Sequence, residues 1–189
     1  KDRKLLEAKI QASLKSFAKT DGVIHDEFYF FVLEDLFTKG LVGCCGIFSD
    51  VGTQQPFYSF KVVHHVTKSK FLGIKKDLAT VQLSTDYQGV SEIGSLYLLK
   101  NYRKDRLGEF LSRSRYLFMA DQPERFHDTV IAEMRGRVDK TGRSPFWHAL
   151  GKKFIGMRFH EVDLLTASNQ KDFIAELLPS TPIHTELLD

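Results

Sequence analysis

The sequence predicts an α+β chain, with a mixed, largely antiparallel sheet and helices on its faces. Three observations carry this. Short aromatic and β-branched runs separated by tight turns fill the first hundred residues. Near residue 107 the apolar period changes from that of strands to that of helices. From the strand at 91–98 a strand–helix–strand–helix–strand order follows, which layers helices against a sheet.

Leu6, Ile10, Leu14 and Phe17 recur at spacings of four, four and three, the stripe of an amphipathic helix that Asp21-Gly22 ends. Residues 27–34 (EFYFFVLE) read as a buried strand, and 41–51 (LVGCCGIFSDV) as its hairpin partner across Lys39-Gly40. The glycines of the second strand suit a bulge or a close backbone approach. Residues 57–66, 78–83 and 91–98 are further strands. Leu107, Phe110, Leu111, Ser114, Leu117 and Phe118 set a helix over 107–120. Residues 130–134 (VIAEM) read as a short buried strand. Ser144-Pro145 opens a helix, Ser as N-cap and Pro in the first turn. A strand at 154–159 and a helix at 169–178 complete the order. Neither an internal repeat nor a linker is visible, so residues 1–189 read as one domain.

The apolar fraction of 42% over 189 residues supplies a sizeable core and excludes a disordered chain. A net charge of +3 permits an anionic ligand without demanding nucleic acid, and the dispersed Lys and Arg match no nucleic-acid motif. No apolar run nears the ~20 residues that span a bilayer. Cys44 and Cys45, adjacent in an apolar run, read as two thiols in a reducing compartment, hence the cytoplasm. His64-His65 invites a metal, but neighbours on a strand face opposite ways and no ligand cluster has zinc spacing, so no metal is expected.

The most informative stretch is 96–111, LYLLKNYRKDRLGEFL. A strand runs into a basic, glycine-containing turn that opens an amphipathic helix. Helix-start amides are unsatisfied and partly positive, and Arg103, Lys104 and Arg106 add charge, so the stretch reads either as an anion site or as a solvated turn.

The element order resembles the GNAT superfamily of acyl-CoA-dependent N-acyltransferases. Its signature between fourth strand and helix begins with Arg or Gln and ends with Gly or Ala. Arg103 and Gly108 match those ends, while Arg106 stands where the first glycine belongs. Further blocks are similar to bacterial arginine N-succinyltransferase: FVLED (31–35), SEIGSLYL (91–98), SRSRYLFMA (112–120), IAEMRG (131–136), GRSPFWHALGKKF (142–154) and FIAELLP (173–179).

The resemblance implies a GNAT-like fold that passes a succinyl group from succinyl-CoA to the α-amino group of L-arginine, or of ornithine, in arginine breakdown. It implies a co-substrate and no tightly bound cofactor, no membrane or nucleic-acid partner, and a homo- or hetero-oligomer. It also implies that the first strand and helix and a C-terminal portion are missing, leaving residues 1–189 poorly active alone. The family's proton donor, a downstream histidine, has no counterpart here, so no catalytic residue is assigned. The alternative is a non-catalytic acyl-CoA-binding subunit on the same fold.

The resemblance places succinyl-CoA against the backbone around Leu96, with Arg103, Lys104, Arg106 and Gly108 at its phosphates. Pantetheine is a chain of amides and can pair with a strand edge where neighbours splay, so 91–98 should lie beside 130–134 and diverge near Tyr102. Leu96 reads equally as a core leucine. Arg106 either crowds the loop or grips a phosphate. Glu92 and Glu133 are substrate-binding candidates or structural partners of Arg135 or Arg143, and both arginines could recognise the succinyl carboxylate. Trp147 occupies the place where many superfamily members carry an acidic Tyr, and an indole is no useful acid. His148 reads as a surface residue. Tyr87 follows Asp86 where the family has a histidine. Ser114 has no base at a telling spacing.

Overall fold

A computed structural model describes residues 3–134, 136–167 and 171–188. The elements are α1 (Arg3–Ala18), β1 (Phe28–Asp35), β2 (Gly40–Val51), β3 (Ser59–Ser69), β4 (Ile74–Ser84), β5 (Val90–Leu98), α2 (Leu107–Asp121) and β6 (Val130–Ile131). A π-helical turn (Trp147–Gly151) runs into α3 (Lys152–Ile155), followed by α4 (Phe159–Ala167), α5 (Asp172–Leu177) and β7 (Ile183–His184). The chain is thus α+β, with sheets dominated by antiparallel pairs. Its contacts divide into two compact units: residues 1–54 with 88–134, and residues 55–87 with 135–189.

The first unit holds a sheet of order β1-β2-β5-β6. β1 and β2 form the expected antiparallel hairpin, β5 pairs antiparallel with β2, and β6 is parallel to β5. Its core is aromatic: Tyr29, Phe118 and Phe126 cluster on Ile47 and Ile93. Phe17 of α1 meets Tyr29, Phe31 and Phe118 edge-on, at centroid distances of 5.2–5.4 Å. Each such pair contributes about 0.5–1.5 kcal/mol beyond area burial. Gly43 answers the close approach expected in β2, because a Cβ there would lie 2.9 Å from a Leu111 methyl and 3.0 Å from one of Leu98.

Helix α1 also closes an open sheet edge. The buried hydroxyls of Ser13 and Ser16 accept the amides of Phe30 (2.9 Å) and Phe28 (3.1 Å). Side chains thus replace a neighbouring strand for two edge donors. The rest of the helix's apolar stripe is exposed. Leu6, Ile10 and Leu14 line a groove of about 530 Å³ with Phe30, Val32 and Leu41.

The second unit holds the long β3–β4 hairpin, to which β7 adds at Thr80 and Val81. Val81, Leu150 and Leu178 form its core, with Phe60, Ile155 and Ile174 around them.

Four elements depart from expectation. The strands form two sheets, since β3 and β4 pair with β7 and not with β2 or β5. The strand expected over 130–134 is only Val130–Ile131, and Glu133 and Met134 are exposed. The strand expected over 154–159 is absent: Phe154 and Ile155 end α3, Gly156 caps it at φ 76°, and α4 begins at Phe159. Alternating apolar residues mimicked a strand there. The deciding signal was Glu161, whose carboxylate accepts the Arg158 amide at 2.8 Å, half of a capping box. The last helix starts at Asp172, and residues 168–170 lie outside the described residues.

Candidate functional site

The site is built on β5. Its ladder with β6 consists of Ser91↔Val130 and Glu92↔Ile131 and stops there, while β5 continues to Leu98. The pairing is therefore at the far end from Tyr102, as expected for strands that part toward it. On the β2 side a bulge interrupts the ladder. Cys44 faces Tyr97 and Gly46 faces Gly94, so Cys45 opposes both Ser95 and Leu96. Ser95 takes φ 53°, the left-handed conformation that lets a strand carry one extra residue. The bulge turns Leu96 outward. Its side chain is 49% exposed, so Leu96 is not a core leucine.

A buried arginine braces this bulge. Arg115 of α2 is 3% exposed and donates from Nη1 to the Gly94 carbonyl (3.3 Å) and from Nη2 to Ser112 Oγ (2.7 Å). Sequence reasoning missed it. The signal was available, because Arg115 lies four residues after Leu111 on the buried stripe, where a charge has no place without a purpose.

After β5 the chain makes a 3₁₀ turn at Lys100–Tyr102. Tyr102 donates its hydroxyl to Asp35 at 2.7 Å, tying this turn to the end of β1. That hydrogen bond, with those from the Phe37 and Thr38 amides, holds the Asp35 carboxyl below the usual range. Asp105 and Arg106 then take φ 51° and 58°, two successive left-handed residues before α2. Glycine stands at the second of these in the superfamily signature, and the reason is plain: the turn needs positive φ, which a side chain resists.

Arg106 neither fills the loop nor points away unpaired. Its guanidinium holds both oxygens of Glu109, at 2.7 and 2.9 Å. Arg103 turns its Nε back to the Leu98 carbonyl (2.9 Å), and Lys104 is exposed. In the first turn of α2, Gly108 and Glu109 have no intrahelical acceptor for their amides. A Cβ on Gly108 would meet only a Leu98 methyl at 3.9 Å, so the fold itself does not require glycine there. The missing side chain keeps the surface over these amides open.

The remaining candidates scatter. Glu92 is half-buried on β5, and Glu133 is exposed beyond β6, both in the first unit. Arg143 lies in the second unit, its amide on Asp139 and its Nη2 3.5 Å from His148 Nε2. Arg135 lies outside the described residues. Trp147 spends its indole N–H on the Met157 carbonyl at 3.1 Å. Ser114 donates to the Leu111 carbonyl (2.8 Å) and faces no base. Burial pushes both thiols, Cys44 and Cys45, upward, which keeps them protonated. His64 pairs across the hairpin with Asp77, and His65 with the Thr80 hydroxyl. Among the described residues no group of three or more His, Cys, Asp or Glu could hold a metal. No helix among them is long and apolar enough to cross a membrane.

The chain has relatives among known proteins. The family described as arginine N-succinyltransferase beta subunit matches residues 1–189. The chain is 42% identical to arginine N-succinyltransferase of Enterobacter sp. (strain 638) over 187 residues, 99% of this chain and 54% of that one. It is 43% identical to the Shigella sonnei (strain Ss046) enzyme of the same name, over 97% of this chain and 53% of that one. Arginine/ornithine succinyltransferase subunit AI from Pseudomonas aeruginosa has a similar structure, with TM-score 0.81 and 38% identity over 100% of this chain and 54% of that one. The chain therefore spans about half the length of the relatives it matches.

Proposed function

The chain belongs to the arginine N-succinyltransferase beta subunit family, and from that premise we propose that its protein transfers a succinyl group from succinyl-CoA to the α-amino group of L-arginine. One observation of the fold supports this most: the Ser95–Leu96 bulge, the edge of β5 beyond Glu92 and the open first turn of α2 lie along one continuous stretch of chain.

In this reading pantetheine amides pair with the β5 edge, and a backbone amide at the bulge near Leu96 polarises the thioester carbonyl. The amides of Gly108 and Glu109 meet the diphosphate, and Arg103 and Lys104 supply charge to it. The neutral α-amine attacks the carbonyl carbon, the C–S bond breaks, an amide forms, and the amine's proton passes to the CoA sulfur. Trp147 takes no part in that transfer, because its N–H is committed to Met157. Glu92 and Glu133 are the carboxylates proposed to receive the acceptor's guanidinium. Ornithine is the alternative acceptor, the assembly is oligomeric, and the compartment is the cytoplasm, in keeping with two free thiols.

The test is a discontinuous assay of the full-length protein with succinyl-CoA and arginine or ornithine, read as succinylated amino acid by mass spectrometry. Product with either acceptor supports the reading. Tight succinyl-CoA binding without product favours a non-catalytic acyl-CoA-binding subunit.

A further inference from the structure

The second unit carries a hairpin tip that its own sheet leaves uncovered. β3 and β4 pair from Ser59↔Ser84 to Ser69↔Ile74, but β7 adds only at Thr80 and Val81, so from His64↔Ala79 outward the ribbon has two strands. Residues 70–73 make the turn, with Gly73 at φ 64° and the Leu72 amide on Ser69 Oγ at 3.2 Å. Here Phe71 is 96% exposed and Leu72 63%, with Ile74 exposed beside them. Lys68, Lys70, Lys75 and Lys76 flank them, all exposed. The hairpin's ion pairs lie elsewhere, Lys61 with Asp86 and His64 with Asp77. Among the described residues none of the four tip ammonium groups joins a carboxylate. Asp77 is the only acid between residues 57 and 78, and Glu186, from the segment after β7, accepts the Ala79 amide at 3.3 Å.

Both parts of this composition cost the free protein. Lys68 and Lys75 are directly opposite in the register, and like charges so placed destabilise a hairpin. Lysine on an unpaired strand edge guards against edge-to-edge association, which accounts for the charges but not for Phe71 and Leu72. Polar residues would form the turn as well, so the exposed apolar pair points to a partner. The lysines make that partner anionic. The turn makes it soft, because side chains at the end of a ribbon are buried only by a medium that closes around them. Protein interfaces favour arginine and deplete lysine, and all four cations here are lysine. A nucleic-acid strand would use the charges and one ring, leaving Leu72 and Ile74 in water. A bilayer interface takes both parts, with ammonium groups at headgroup level and apolar side chains beneath them.

We propose that the β3–β4 tip docks on an anionic phospholipid bilayer, with Phe71 and Leu72 entering the interface and the four lysines meeting headgroup phosphates. The docking is peripheral and reversible, and needs no spanning segment. It stands against the family resemblance, which implies no membrane partner. The cytoplasmic leaflet carries the required negative charge, so the tip fits the compartment proposed above. The acyl-transfer reading is not needed for it, since the tip shares no residue with β5 or α2.

Co-sedimentation of the full-length protein with vesicles tests this, comparing mixed phosphatidylglycerol–phosphatidylcholine vesicles with pure phosphatidylcholine. Binding should appear on the anionic vesicles alone and fade as salt rises. Lys70→Gln combined with Lys75→Gln should lower the partition coefficient about tenfold or more, and Phe71→Ser combined with Leu72→Ser by a similar factor. All four positions are exposed, and circular dichroism checks that the variants fold. Absence of binding to anionic vesicles at low salt overturns the proposal, and so does binding that survives both variants. Binding that the lysine variant abolishes and the apolar variant leaves unchanged also overturns it, because the tip is then a non-specific basic patch. If the unmodified protein binds no vesicle and the apolar variant lowers the oligomer mass in light scattering, the tip is a protein interface instead.

Discussion

Arg106 and Glu109 face each other across the first turn of α2, guanidinium against carboxylate, with two contacts of 2.7 and 2.9 Å. The pair is largely exposed, so solvent screens it and it stabilises the turn only weakly. Against it stands the left-handed backbone of Arg106, which costs an L-residue about 1–2 kcal/mol.

Comparing Arg106→Gly with Arg106→Ala isolates that cost, since both lose the pair and only alanine keeps the strain. Glycine should be the more stable variant by about 1 kcal/mol in urea unfolding. Alanine matching or exceeding glycine would show that the turn carries no such strain.

Gly151 lies under the Trp147 ring, and a Cβ there would fall within the indole. Gly151→Ala must therefore displace the ring and break its bond to Met157. A loss of about 1–3 kcal/mol or more follows from overpacking alone. Thermal unfolding of the variant checks this, and an unchanged midpoint would contradict the packing.

Glu27 is buried against Lys19, with Ser49 Oγ at 2.6 Å and the His25 amide at 2.9 Å. Burial pushes its carboxyl up, but the Lys19 ammonium and these hydrogen bonds more than offset that, so it sits below the ordinary range. A depressed folded pKa contributes stability above the unfolded value, about 4.3, and that share is lost as pH falls through the lower folded value. Glu27→Gln should therefore lower the melting temperature near neutrality, with the gap to the unmodified protein closing in acid. A gap independent of pH would show that the carboxylate's charge contributes nothing.

Much of this was legible in the sequence. Runs such as FYFFVLED and VSEIGSLYL became β1 and β5, because aromatic and β-branched residues pack on a pleated surface whatever surrounds them. The turn into α2 was legible from Arg103 to Gly108. The direction of Arg106 was not, since it depends on Glu109 one turn away. Leu96 resisted reading for a similar reason: a one-residue bulge reverses which side chains face the core. The helices around Gly156 were hidden because residues 154–159 alternate like a strand, and the Gly156 cap and the Glu161–Arg158 contact mark the true boundary.

The central claim, that acyl-CoA lies along β5 with its diphosphate on the first turn of α2, is tested most directly at Gly108. Gly108→Ala adds a methyl that the fold accommodates, at 3.9 Å from Leu98, and gains about 0.5–1 kcal/mol of helix stability. Calorimetric titration of the full-length variant with succinyl-CoA should show affinity reduced about tenfold or more, the scale of a lost charge-assisted contact, with no loss of stability. Undiminished affinity in a folded Gly108→Ala protein would contradict it.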